Sequence, residues 1–167
     1  MTRLPDPYLD WADAQGVPIV QDFGIDIRKV PVAPWARYGM NGAFCHLKGR
    51  DDFISIFAFE IPPGGKSAPL KHICEEVIYV ISGHGSTAVT LEDGRRHFFE
   101  WGPKSLFAIP LNAKHRHFNG SGRERALLVS TTNLPMMINV FHDESFVFDT
   151  DRDFMDRAGK QGYFSGE

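Results

Sequence analysis

Within the run KHICEEVIYVISGHG, Lys71 to Gly85, a histidine, a cysteine and two glutamates crowd into a few residues and lead straight into an apolar stretch. A buried strand is a costly place for a charge unless something compensates it. His72 and Glu76 lie four apart, and in an extended chain even spacing sends both side chains to one face. Further along, PLNAKHRHFNGSG supplies His115 and His117, two apart and therefore also on one shared face of a regular strand. Imidazole nitrogens and a carboxylate oxygen that converge from two segments are donors for a divalent transition ion. An imidazole beside such an ion, not bound to it, can take or give a proton near neutral pH.

The same residues have a plainer reading, a barrel without an ion in which His72 and Glu76 are a hydrogen-bonded pair. A carboxylate and three imidazoles in two separated segments favour the ion. Cys74 shares parity with His72 and Glu76, but a lone buried cysteine is more often a packing residue. Lys71 and Glu75 point the other way and read as a surface pair. His46, His84, His97 and His142 stand outside both groups, and structural or surface roles are expected for them.

The elements that must position these groups are mostly strands. Asp6 and Pro7 start a short helix carrying Tyr8, Leu9, Trp11 and Ala12 on one face, and Gly16 stops it. Residues 17–40, rich in proline, read as an irregular wrapping segment. From Asn41 to about Phe148 short runs rich in Phe, Ile, Val and Thr alternate with turn pairs such as Gly64-Gly65, Ser82-Gly83 and Asn119-Gly120. In FISIFAFEI, Phe53, Ser55, Phe57 and Phe59 face one way and Ile54, Ile56, Ala58 and Glu60 the other, so both faces are covered. Two packed sheets satisfy this. Asp93-Gly94 between two alternating runs predicts a hairpin. The polar C-terminal stretch keeps Phe154, Met155, Tyr163 and Phe164 as apolar anchors of a docked tail or a partner contact.

With its motifs in view, the chain resembles the cupin superfamily. The first family motif runs glycine, five residues, His-x-His, three or four residues, Glu, six residues, glycine; here it reads Gly64, Leu70, Lys71, His72, Glu76, Gly83. The second ends in Pro-x-Gly, two residues, His, three residues, Asn; here it reads Pro110, Leu111, Asn112, His115, Asn119. Two motifs that agree in order and spacing are far more specific than either alone. The resemblance implies an all-β double-stranded β-helix, the jelly-roll cupin barrel, over residues 41–148. A short N-terminal helix and wrapping segment (1–40) would precede it, and a C-terminal tail (149–167) would follow. It also implies one metal ion inside. Leu70 replaces the first histidine of the motif, so the ligands carried over are His72, Glu76 and His115. Two histidines and a carboxylate with open positions suit Fe(II), and Mn, Zn or Ni accept the same donors. His117 either completes the set or stands beside the ion as the catalytic acid or base.

Bulk properties exclude several classes. At 167 residues and 43% hydrophobic content the chain fills one core. A net charge of -3 and a pI near 6.1 leave no basic block for nucleic acid. The apolar runs are shorter than the ~20 residues that span a bilayer. Two cysteines without CxxC spacing point to a cytoplasmic protein with no disulfide framework. By parity Ile78 and Val80 face inward with Glu76, Ser105, Phe107 and Ile109 share a face, and Phe44, Phe57, Phe59 and Phe118 are wall candidates. Such a pocket favours an aromatic or keto acid over a sugar, with Arg37 or Lys66 to meet its carboxylate. The function expected is a metal-dependent cupin enzyme, an Fe(II) oxygenase. The alternatives are a non-oxidative isomerase, lyase or decarboxylase and a non-catalytic ligand-binding barrel. The resemblance further implies a homodimer.

Overall fold

The computed structural model describes residues 6–49, 53–91 and 94–152. Helix α1, Pro7–Ala14, starts where expected: the Asp6 side chain accepts from Leu9 N at 3.0 Å, and proline occupies the first turn, where its missing N–H costs nothing. The chain leaves the helix through Gly16 at φ +70°. One face of α1 buries Tyr8, Trp11 and Ala12. Trp11 packs edge-on against Phe44 at 5.8 Å and stacks on Phe148 at 5.6 Å. The Tyr8 hydroxyl bonds His46 Nε2 at 2.9 Å and also meets Ser55, so His46 is structural: it ties α1 to the sheet.

Among the described residues ten strands follow: β1 Ile19–Asp22, β2 Ala33–Trp35, β3 Met40–Leu47, β4 Ser55–Ile61, β5 Glu76–Ser82, β6 Gly85–Thr90, β7 Arg96–Trp101, β8 Leu106–Ile109, β9 Lys114–Asn119 and β10 Ala126–Thr132. The larger sheet runs β1-β3-β4-β10-β5-β8, with β2 also on β3; the smaller runs β7-β6-β9. The main apolar core includes Phe44, Phe57, Ile61, Ile78, Val80 and Leu128, and a smaller cluster gathers Val89, Leu91 and Ala113. Parity is kept where it matters: Glu76, Ile78 and Val80 are buried on β5 while Val77 and Tyr79 are exposed. A one-residue slip would turn Glu76 outward.

Two regions differ from the sequence reading. Residues 17–40 are not irregular throughout, because β1 and β2 both add to the edge strand β3. The stretch before Phe148 is helical in α2, Leu134–Phe141, and α3, Glu144–Val147, which pack under the larger sheet with α1. The β6–β7 hairpin forms, with Gly94 N bonded to Leu91 O at 2.9 Å; Asp93 of its predicted turn lies outside the described residues. So do the tail anchors Phe154, Met155, Tyr163 and Phe164. Among the described residues no helix is long and apolar enough to cross a membrane.

Candidate metal centre

Glu76 opens β5 between Thr132 of β10 and Ile109 of β8. His72 reaches it from the preceding segment rather than from the strand itself: its backbone makes an isolated bridge with Phe148, and its ring Nδ1–H donates to Cys74 O at 3.0 Å. That bond leaves Nε2 directed to Glu76 Oε2 at 3.0 Å. The other carboxylate oxygen, Oε1, accepts from the Ser130 hydroxyl of β10 at 2.5 Å. Glu76 is thus held from both sides.

His115 comes from the opposite sheet. On β9 the side chains of His115, His117 and Asn119 are buried while Lys114 is exposed, as even spacing predicts. The His115 ring repeats the arrangement of His72. Its Nδ1–H donates to Ala113 O at 3.0 Å, and Nε2 lies 3.9 Å from the same Glu76 Oε2. The ligating atoms of His72, Glu76 and His115 all fall within 4.8 Å of one another, and all three residues are buried. The two rings are nearly perpendicular, with centroids 5.2 Å apart. His115 Nε2 has no hydrogen-bond partner among the described residues. An orphaned buried nitrogen beside a carboxylate and a second imidazole, each fixed by a carbonyl or hydroxyl, is the donor arrangement of a metal site with its orienting partners in place. The residues therefore fit a divalent ion.

His117 stands next to this group, its ring centroid 5.4 Å from that of His115, but it is not part of it. Its Nδ1 pairs with Thr87 Oγ1 at 2.8 Å, and that hydroxyl accepts from Trp101 Nε1 at 3.0 Å.

Burial and charge set the protonation states. Burial raises the Glu76 carboxyl, but the His72 hydrogen bond and the imidazole charges outweigh it and hold the group at about 2. Burial lowers His72, yet the bond and charge of Glu76 more than reverse this, so its pKa is raised. His115 is pushed down to about 3, by burial first and then by the charge of His72. His117 is pushed down to about 4, chiefly by burial. Without an ion His72 and Glu76 favour each other's charged forms, while His115 and the neighbouring His117 are held neutral, His115 with an unpartnered Nε2.

Leu70 occupies the place of the missing motif histidine. It exchanges two backbone hydrogen bonds of 2.9 Å with His115, so it aligns that candidate ligand while offering no donor atom from its own side chain. Asn112 replaces the motif glycine at φ +57°, a left-handed conformation that asparagine tolerates. Its backbone N–H donates to His72 O at 2.8 Å, linking the two motifs directly. Of the wall candidates, Phe57 lines the space beside His72 and Glu76, together with Tyr38, Leu134 and Phe148. Phe118 lies on the other face of β9, 6.0 Å from the Arg116 guanidinium. Lys71 does not pair with Glu75: its ammonium meets Thr150 O, and Glu75 N–H donates to Asn133. Cys74 borders the same space as a neutral thiol, its pKa driven up by burial. Sequence reasoning passed over Ser130, Thr87 and Tyr38. Their residue types carry no signal; strand register places Ser130 and Thr87 here, and the turn between β2 and β3 brings Tyr38.

A family model described as auxin binding protein matches residues 14–153. Auxin-binding protein T85 of Nicotiana tabacum is 27% identical over 78% of this chain and 72% of its own length. Among solved structures, the cupin domain of Schizosaccharomyces pombe Cnp3 superposes with a TM-score of 0.53 at 14% identity, covering 66% of this chain and 68% of that one. An oxalate decarboxylase of Lactobacillus farciminis, in a formate complex, gives a TM-score of 0.53 at 19% identity over 65% of this chain. The match spans 32% of the decarboxylase. At these identities the structural likenesses establish the cupin fold and nothing finer.

Proposed function

The chain belongs to the auxin-binding protein family, of cupin fold, and on that premise we propose that it is a metal-dependent binding protein for a small organic acid, its ion held by His72, Glu76 and His115. The observation that carries this reading is the buried, unpartnered Nε2 of His115, 3.9 Å from the carboxylate oxygen that His72 meets at 3.0 Å. A buried acceptor left unpaired costs about 1–3 kcal/mol, and an ion would supply its partner. Fe(II) suits the donor set, and Mn, Zn or Ni accept it too. When bound, the ion supplies Lewis acidity and an attachment point for a ligand oxygen.

The chain's own residues do the rest. The carbonyls of Cys74 and Ala113 fix the two rings so that Nε2 faces inward, and Ser130 orients Glu76. Phe57, Leu134 and Phe148 keep the surroundings apolar and dry. Those walls favour an aromatic or keto acid over a polyhydroxylated ligand. The tobacco relatives are named for binding auxin, so auxin belongs first in any ligand panel. A homodimer and an intracellular setting accompany this proposal.

A second reading, turnover, is favoured by the donor set itself. With Leu70 in place of a histidine, three protein ligands leave room at the ion for both substrate and O₂, as an Fe(II) oxygenase requires. His117, held by Thr87 and neutral, would then accept or deliver the proton. A non-oxidative isomerase, lyase or decarboxylase would use the same residues without O₂. One titration addresses both readings: anaerobic, Fe(II)-loaded protein is mixed with auxin and with aromatic and keto acids, with and without a chelator. Binding that disappears on chelation is expected, and product formed only in air would select the oxygenase. Affinity for every acid that is indifferent to the chelator would contradict the proposal.

A further inference from the structure

Between the loop that follows β2 and the segment carrying His72 lies a gap of about 30 Å³, lined in part by Arg37, Tyr38, Leu70, His72 and Phe148. It has room for about one water molecule. Leu70 and Phe148 make its walls apolar, and His72 connects it to the group described above. Phe148 also borders the tighter space next to Glu76, as do Tyr38 and His72, so these three side chains stand between the gap and the carboxylate.

Arg37 dominates the charge on this rim. Its guanidinium lies 4.2 Å over the Phe148 ring, an arrangement that fixes the plane of the fork. One limb, Nη2, pairs with Glu144 of α3. The other donor on that side, Nε, is buried and has no hydrogen-bond partner among the described residues. Glu144 therefore engages the fork at one point and leaves the bidentate position incomplete. The pair is open to water, with side-chain exposures of 27% for Arg37 and 49% for Glu144, and such pairs exchange readily. Of the other charged groups on the rim, the Lys71 ammonium is occupied by Thr150 O, and Asp149 repels an acid.

We propose that Arg37 is the residue that recognises the acid group of the ligand, and that Glu144 occupies it as a stand-in carboxylate in the ligand-free chain. This rests on the organic-acid reading of the site. An incoming carboxylate takes Nε and Nη2 together, displaces Glu144, and turns α3 with Phe148 away from the gap, opening the way to His72. A neutral analogue of the same shape cannot make that exchange.

The test uses the full-length, metal-loaded chain with phenylacetate and phenylacetamide, an acid and its neutral amide, titrated by calorimetry. Wild type is expected to prefer the acid at least tenfold. Arg37→Gln should lower acid affinity at least tenfold, leave the amide unchanged and keep its metal content. Glu144→Gln should tighten the acid severalfold and leave the amide alone. Arg37→Lys, which keeps the charge without the fork, should fall between and covers the case in which Arg37→Gln does not fold. An acid-over-amide ratio that survives in Arg37→Gln or Arg37→Lys, an acid weakened by Glu144→Gln, or no binding of phenylacetate by wild type would overturn the inference. Acid binding that persists after chelation yet still depends on Arg37 would support it while sinking the metal reading.

Discussion

At the scale of single residues, the chemistry turns on imidazoles kept neutral where water would charge them. His115 and His117 have folded pKa values of about 3 and about 4, against about 6.5 in an unfolded chain. Below pH 6.5 the unfolded state takes up protons that the folded state refuses, so the metal-free protein loses stability as pH falls from 6.5 toward 4. Glu76, held at about 2, adds a further loss below its unfolded value of about 4.3. His72 works in the opposite direction: its raised pKa stabilises the fold below 6.5 and stops doing so as pH rises through the folded value. Melting temperatures of chelated protein across pH 4–7 should fall on the acid side, and less so in His117→Gln, which lacks one of the two neutral rings. A flat profile, or one unchanged by the variant, would contradict the assignment. His72, Glu76 and His115 were legible because even spacing and two motifs announce them. Ser130 and Thr87 were not, since a serine or threonine in a strand is ordinary until pairing of β10 with β5 and of β6 with β9 brings it to the site; nor was Tyr38, which arrives on the turn between β2 and β3.

At the scale of elements, pairing of β5 with β10 and β8 fixes which face Glu76 takes, and Gly83 makes possible the turn that carries the chain from β5 into β6 of the smaller sheet. Its φ is +84°, and a Cβ there would come within 2.7 Å of Ala126 Cα, a backbone atom that cannot step aside. Gly94, in the β6–β7 hairpin, has φ +81° with nothing among the described residues within 4 Å of a Cβ. Gly94→Ala should therefore cost only the conformational term, about 1–2 kcal/mol. Gly83→Ala should cost clearly more and lower the melting temperature by roughly 5 °C or more. Equal destabilisation in a thermal melt would remove the steric argument. Alternation made the strands readable, and Asp6-Pro7 with Gly16 made α1 readable. The short strands β1 and β2 were hidden because four and three residues among prolines carry no period; only their pairing with β3 defines them. In α2 the run LPMMINVF is apolar but for Asn139, so a helix and a buried strand read alike.

At the scale of the whole molecule, two sheets bring two separated segments of the barrel sequence to one point, and the backbone joins them at Leu70 with His115 and at Asn112 with His72. The fold was legible because that convergence is written into two motifs. What sequence could not show is that Leu70, the apparent defect, still clamps the backbone of His115 while it lines the small gap beside His72. The central claim is that this clamp assembles an ion site, and metal analysis of purified, Fe(II)-loaded and desalted protein tests it most directly. Wild type and His97→Ala should each retain about one ion per chain, while His72→Ala, Glu76→Ala and His115→Ala, folded by circular dichroism, retain little. A folded wild type that holds no more metal than those three variants would contradict the account.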